Sequence, residues 1–259
     1  MNKRDYKTIR RNELLGRYEN KNHNKKDFED IKLKEDSIGV IISSYNRYDK
    51  LINIIKKINS ENNSIEINIL DDGSTDDRYK NLSDLYNNVN ILKNEYNYGR
   101  KEYWKSINKL FNVCKTKKYE MVIQIDDDFI LCDNFIKKVT EKLKKSDCCC
   151  FHYQYNGLEN NRWGLKDNWV DGGIVFKGDF LKKINYEIKE INKFRWNFDC
   201  NMSSGVWHEL SKEINKMGLK VLKTKKSYVL HDGNDDSKMN SNIRKNNPIY
   251  SKNFIDGDK

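Results

Sequence analysis

The sequence predicts an α/β fold, an α/β/α sandwich with a mostly parallel central sheet. Three observations carry that expectation. Short apolar runs of the kind that strands buried on both faces show recur through the first half of the chain. A single stretch with helical spacing of apolar residues separates most of them, which implies right-handed crossovers between parallel strands. Polar segments rich in Asp, Asn, Ser and Gly follow each run, and in such sheets ligands bind beyond the carboxyl ends of the strands.

The elements come in order. "IGVIIS" (Ile38–Ser43) is the first strand, and Leu51, Ile54, Ile55 and Ile58 recur at helical spacing after it. "IEINIL" (Ile65–Leu70) is the second strand, followed by a helical segment from Asp76 to Tyr86 and a third strand, "VNIL" (Val89–Leu92). Trp104, Ile107, Leu110, Phe111 and Cys114 form a helical stripe after Gly99. "MVIQI" is the fourth strand; Phe135, Ile136, Val139 and Leu143 mark the next helix, with Asp133 as its expected N-cap.

The second half is less regular. "CCCFHYQY" (Cys148–Tyr155) reads as a strand, and "NWVDGGIVF" (Asn168–Phe176) as a turn and a strand. Val206, Leu210, Ile214 and Met217 form a helix closed by Gly218, and "LKVLKTKKSYVL" (Leu219–Leu230) a further strand. Residues 1–36 are polar and charged and are expected to be a basic arm, with a single domain over 37–259. Within it, 37–137 would be the sheet's ligand-binding half, 138–230 a mixed extension and 231–259 a flexible C-terminal segment.

Composition sets limits on function. A chain of 259 residues with 37 % hydrophobic residues can bury a sizeable core, and its one proline marks no internal linker. No run approaches the roughly 18 apolar residues of a membrane-spanning helix, and the N-terminus lacks the apolar stretch of a signal peptide. A soluble cytoplasmic protein is expected, in the host cytoplasm if the chain is viral. The six cysteines show no C-x-x-C pairing and suit small buried hydrophobes in a reducing compartment. The net charge of +10 attracts polyanions such as nucleic acid or anionic membrane, although Lys- and Asn-rich drift from an AT-rich genome produces the same excess.

Four polar segments therefore gather at one rim: "SSYNR" (Ser43–Arg47), "DDGSTDD" (Asp71–Asp77), "NEYNYGRK" (Asn94–Lys101) and the acids Asp126, Asp127 and Asp128. Three adjacent carboxylates repel one another and stay ionised only when water or a cation compensates them. Oxygen ligands select hard cations, Mg²⁺ or Mn²⁺, which also bind substrate phosphate. In an extended segment Asp126 and Asp128 share a side, and Asp127 points away. The plainer alternative is that acids commonly end strands and cap helices.

Here the sequence resembles the family-2 glycosyltransferases of the GT-A fold. "VIISSYNRYDKL", "INILDDGSTDD", "NEYNYGR" and "IQIDDDF" match that family's strand-turn, Asp-Asp-Gly-Ser-Thr-Asp, Asn-x-Gly and Asp-x-Asp elements, in order, over about residues 38–137. The resemblance implies a Rossmann-like GT-A fold with an acceptor-side extension, a nucleotide-sugar donor, most simply a UDP-sugar, and a Mn²⁺ or Mg²⁺ ion. Asp72 would bond the nucleobase, and Ser44 and Tyr45 would line the nucleoside pocket. Arg47, Gly99 and Arg100 would lie along the donor; Asp126 would hold ribose and metal, Asp128 and His231 the metal. "DGGIVF" would bring Asp171, Gly172 and Gly173 to the reaction centre. Asp199 is the candidate general base, with Asp171 and Asp179 as rivals, because the family's Glu-Asp motif lacks its Glu in "RWNFDCNM". Lys238, Arg244 and Lys245 would reach the diphosphate, and Trp163 and Trp169 could stack on a sugar or base.

An inverting transfer to an acceptor hydroxyl is the leading expectation. The "GRKEYWKSINKLF" helix and the C-terminal segment are similar to small phage-encoded glycosyltransferases thought to modify DNA, which makes a hydroxymethylated base the first acceptor to consider. A surface glycan or lipid-linked saccharide is the second. Nucleotidyl transfer would need a Gly-rich loop after the first strand, which "SSYNRYDK" lacks; a non-catalytic nucleic-acid-binding module is the reading from outside enzymology.

Overall fold

The computed structural model describes residues 37–144, 146–151, 170, 172–191, 205–224 and 227–232. The first half alternates as expected: β1 (Ile38–Ser44), α1 (Tyr48–Glu61), β2 (Glu66–Asp71), a 3-10 turn (Asp77–Asn81), α2 (Leu82–Leu85), β3 (Val89–Lys93), α3 (Gly99–Lys117) and β4 (Met121–Asp126). Then come β5 (Phe129–Leu131), α4 (Phe135–Leu143), β6 (Cys148–Cys150), β7 (Ile174–Lys177), α5 (Gly178–Lys183), α6 (Val206–Lys216), β8 (Val221–Lys223) and β9 (Val229–His231).

Seven strands form the main sheet in the order β3-β2-β1-β4-β7-β6-β8. β1 is parallel to both β2 and β4, and β2 to β3; β7 runs antiparallel between β4 and β6. The chain therefore winds one way from β1 to β3 and the other way to β4. The crevice at the carboxyl ends of β1 and β4 is the switch point at which such sheets bind ligands.

Alternation along the strands divides the core in two. Val40, Ile42, Ile67, Ile69, Ile123 and Ile125 face α1 and α4, with Leu51, Ile54, Ile55, Ile58, Phe135 and Val139 packed on them. Ile41, Leu70 and Val122 face the other way, against Ile107, Leu110 and Phe111 of α3 and Leu210 and Ile214 of α6. Each fully buried Ile, Leu or Phe contributes about 1.5–3 kcal/mol, so both faces are needed. The cysteine triplet follows the same rule: Cys149 joins the first cluster, Cys148 and Cys150 the second. All five described cysteines are buried and free.

Several expectations change. The helix expected over 76–86 is a 3-10 turn followed by one α-turn. The acids after β4 do not continue the strand; residues 127 and 128 form a turn into β5, which pairs with β9 in a separate two-stranded sheet. The segment 219–230 is accordingly two strands in two sheets, β8 and β9. Asp133 does not cap α4. Its place is taken by Glu61 at the end of α1, whose two oxygens accept from Phe135 N (2.9 Å) and Ile136 N (2.8 Å), while Asp133 pairs with Lys57. Among the described residues no helix is long and apolar enough to cross a membrane.

A carboxylate on two amides at a helix N-terminus stabilises through both hydrogen bonding and the helix dipole. Glu61→Ala is expected to lower unfolding free energy by about 1–2 kcal/mol, read as a reduced urea midpoint. An unchanged midpoint would mean those amides are satisfied some other way.

Candidate functional site

β1 delivers "SSYNR" to the switch point, and the turn is sewn to the loop after β2 by long-range bonds. Asn46 adopts φ 52°, and the Asn46 amide donates to Ser74 Oγ (2.9 Å) while its Oδ1 accepts from Thr75 N (2.9 Å). Tyr79 supplies the other stitch: its hydroxyl lies 2.5 Å from Ser44 Oγ and accepts from Arg47 N at 3.1 Å. Ser44 is 2 % exposed. Its hydroxyl therefore holds the turn from beneath, at the place where a nucleoside pocket was expected.

The second loop begins with Asp71, whose Oδ1 accepts from Ser74 N (2.7 Å) and whose Oδ2 lies 3.4 Å from Lys93 Nζ. Gly73 has φ 78°, and a Cβ there would sit 2.5 Å from the backbone carbon of Tyr96, so only glycine lets the two loops touch. Asp72 is the hub between them. Its Oδ1 accepts from Asn94 Nδ2 (2.6 Å), Ser106 Oγ (3.1 Å) and Tyr98 N (3.2 Å), its Oδ2 from Asn97 Nδ2 (3.2 Å) and Gly99 N (3.3 Å). The carboxylate thus anchors the start of α3, where Gly99 and Arg100 stand, through five donors of its own chain.

At the end of β4 the three acids divide differently from the strand parity expected of them. Asp127 and Asp128 converge: Arg47 Nη1 donates to Asp127 Oδ1 (2.8 Å) and to Asp128 Oδ2 (2.7 Å). Asp127 Oδ2 also accepts from Tyr45 N at 3.3 Å. The physical reason is the turn, which ends alternation at Asp126. Burial pushes the Asp127 carboxyl up, Arg47 pulls it back, and neighbouring Asp128 adds to the rise. Arg47, expected on the donor, is therefore the counter-ion of two acids. Below them, burial and then the Asp126 and Asp127 carboxylates hold the Tyr103 phenol well above its ordinary range, so it stays a neutral hydroxyl.

Asp126 takes its own course. Gln124 Nε2 donates to Asp126 Oδ1 at 2.8 Å, and a Cβ on Gly172 would lie 2.4 Å from Asp126 Oδ2. The backbone of Gly172 can rest on the acid only because it has no side chain. Gly173 follows at φ 77°, its amide donating to Gln124 Oε1 at 2.9 Å.

Ser44, Tyr45, Arg47, Asp72, Gly99, Arg100, Asp126, Asp128, Gly172 and Gly173 therefore belong to segments that meet at one rim. His231 is placed by its backbone, paired with Phe129 one residue beyond Asp128. Asp171, Asp199, Lys238, Arg244, Lys245, Trp163 and Trp169 lie outside the described residues. Asp179 is excluded as a base: β7 is antiparallel to β4 with Lys177 opposite Met121, so α5 starts at the far end of the sheet from Asp126. Sequence reading assigned no role to Tyr79, Gln124, Asn94 or Ser106, although all but Tyr79 lie within quoted segments. Asp127, expected to point away from Asp128, instead shares Arg47 with it.

The donor chemistry fits a hard divalent cation, since Asp126, Asp127 and Asp128 bring carboxylate oxygens to the rim, and such ions keep waters and need one or two protein oxygens. Asp126 and Asp128 are the pair that could hold one, although among the described residues no three acidic, His or Cys side chains converge on a point.

Removing Arg47 leaves two buried carboxylates face to face, a change that costs several kcal/mol. Arg47→Met is expected to lower the melting temperature, and adding Asp127→Asn to recover part of the loss, because the second change removes the repulsion. Simple additivity of the two losses would show that the pair is not coupled through Arg47.

Solved structures share this architecture. S. aureus TarS 1–349 in complex with UDP superposes with a TM-score of 0.55 at 15 % identity, covering 74 % of this chain and 59 % of that one. Mannosyltransferase PcManGT from Pyrobaculum calidifontis, in complex with GDP-Man and Mn²⁺, gives 0.58 at 12 %, covering 78 % and 58 %. The chain thus spans less than two thirds of either relative, and at these identities the likeness is one of fold. No curated protein sequence matches the chain. The sequence model described as glycosyl transferase family 2 matches residues 39–214, more than half of the chain, and with the doubly wound sheet and its acidic switch point this places the protein in glycosyl transferase family 2.

Proposed function

We propose that the protein is a metal-dependent, inverting glycosyltransferase that moves a sugar from a UDP-sugar to an acceptor hydroxyl, and that the acceptor is a hydroxymethylated base in DNA. The observation that carries the transferase reading is the meeting of the Arg47 turn, the Asp72 hub, the three acids and the Gly172–Gly173 segment at the switch point. Asp126, Asp127 and Asp128 gather carboxylates on that wall, which suits a divalent cation carrying a diphosphate. TarS and PcManGT were solved with UDP and with GDP-Man and Mn²⁺, which supports a nucleotide-sugar donor here.

Roles follow from position. Asp72 fixes the Asn94–Gly99 loop, the edge on which a nucleobase would rest, and with Tyr45 borders the nucleoside. Asp126 and Asp128 would hold the metal, with His231 as a further ligand; the ion would neutralise charge on the departing nucleoside diphosphate. Asp128 already shares Oδ2 with Arg47, so Arg47 would give up or share that oxygen and lie ready for the phosphates. Gly172 and Gly173 keep the backbone close to the donor sugar. Asp199 or Asp171 would take the proton from the acceptor hydroxyl on the face opposite the leaving group. Lys238 and Arg244 would pair with the diphosphate.

For a DNA acceptor, support comes from charge and from one exposed ring. α3 starts at the rim and carries Arg100, Lys101, Lys105 and Lys109 in its first three turns against a single acid, Glu102. Tyr96, 58 % exposed beside Tyr98, offers a stacking surface next to those cations.

The test incubates the protein with Mn²⁺ and each nucleotide sugar, with and without hydroxymethylated DNA, and measures release of nucleoside diphosphate. DNA-dependent release of UDP is expected, reduced on the order of 100-fold by Asp128→Asn. UDP release that responds to a glycan or lipid-linked saccharide but not to DNA would move the acceptor; no consumption or binding of any nucleotide sugar with any metal would remove the transferase reading.

A further inference from the structure

Gln124 sits in the middle of β4, 1 % exposed, where every neighbour in the strand is apolar or faces the core. An amide there has to be satisfied, because a buried polar group left unbonded is costly. Both of its ends are. Gly173 N, which can only donate, fixes Oε1 toward Gly173 at 2.9 Å; the amide nitrogen must then face Asp126, and donates to Oδ1 at 2.8 Å. Chemistry alone thus decides the orientation of the side chain.

The place of this link in the sheet is informative. The β4–β7 ladder ends at the pair Gln124 and Ile174. One step beyond it, the Gln124 side chain accepts the amide of Gly173, the residue before β7, while the carbonyl of that residue accepts from Phe151 N at 3.1 Å. The same side chain holds the carboxylate that Gly172 covers, with so little room that a Cβ would approach Oδ2 to 2.4 Å. One amide therefore bonds both the Asp126 carboxylate and the backbone next to the glycine resting on it.

We propose that Gln124 is a positioning residue for the transfer reaction: its amide locks the Asp126 carboxylate to the Gly172–Gly173 backbone, so the donor-holding acid and the glycine pair keep one geometry. This rests on the reading of Asp126 as part of the donor and metal site. Gln124 touches no reacting atom; it acts by removing freedom from an acid whose misplacement by an ångström would weaken the site.

The experiment titrates UDP in the presence of Mn²⁺ into the full chain by calorimetry, with thermal melting in parallel. Gln124→Met, Gly172→Ala and the double variant are compared with Asp126→Ala. Gln124→Met and Gly172→Ala are each expected to weaken Mn²⁺-dependent UDP binding about tenfold, and the double variant no further than the worse single, because both act on one carboxylate. Should Gln124→Met fail to fold, Gln124→Glu keeps the acceptor for Gly173 and sets against Asp126 a carboxylate that repels it in place of the neutral donor; it is expected to show at least the same loss of affinity. Wild-type affinity in a folded Gln124 variant, or a double variant that loses about a hundredfold, overturns the proposal. Unchanged binding by Asp126→Ala would instead remove the donor-site reading beneath it.

Discussion

Asp127 and Asp128 are buried side by side, and two such carboxylates stay ionised together only if a cation reaches both. Arg47 does, through a single nitrogen. The rest of the site is arranged to make that contact possible. The turn that carries Arg47 is fixed by Asn46, Ser74 and Tyr79, and the loop carrying Ser74 is held in turn by Asp71 and by the close approach of Gly73 to Tyr96. Asp72 extends the chain of contacts to α3. A charge problem created at the end of one strand is solved by residues delivered from the ends of two others, which is what the winding order of the sheet allows.

The same wall is asymmetric. Asp127 and Asp128 face a guanidinium, whereas Asp126 faces a neutral amide and a glycine backbone. Adjacent residues of one turn therefore bond different partners: a guanidinium for Asp127 and Asp128, the Gln124 amide for Asp126.

Much of this was legible in the sequence. The four apolar runs and the helices between them identified the parallel half of the sheet, and hence the rim where the motifs meet, since strand and helix periods are local properties. What was not legible depends on partners far along the chain. Nothing near Ser44 announces Tyr79, 35 positions away, and nothing near Phe135 announces Glu61, 74 positions before it. Parity failed at the acids because it assumes an extended backbone, and the chain turns after Asp126. Asp179 looked eligible as a base until the antiparallel direction of β7 put it at the other end of the sheet, and direction has no signature in a single strand. Gln124 looked like one polar interruption in an apolar run; only its two partners give it a purpose.

The proposed transfer requires the rim acids to form a metal and diphosphate site. The most direct measurement is anomalous scattering at the manganese edge from crystals grown with UDP and Mn²⁺. The predicted result is a single peak within ligand distance of the Asp128 carboxylate, on the side of Asp126, with the diphosphate bound to it and Arg47 turned toward the phosphates. UDP bound with no manganese at these acids, and Arg47 still closed on Asp127 and Asp128, would contradict it.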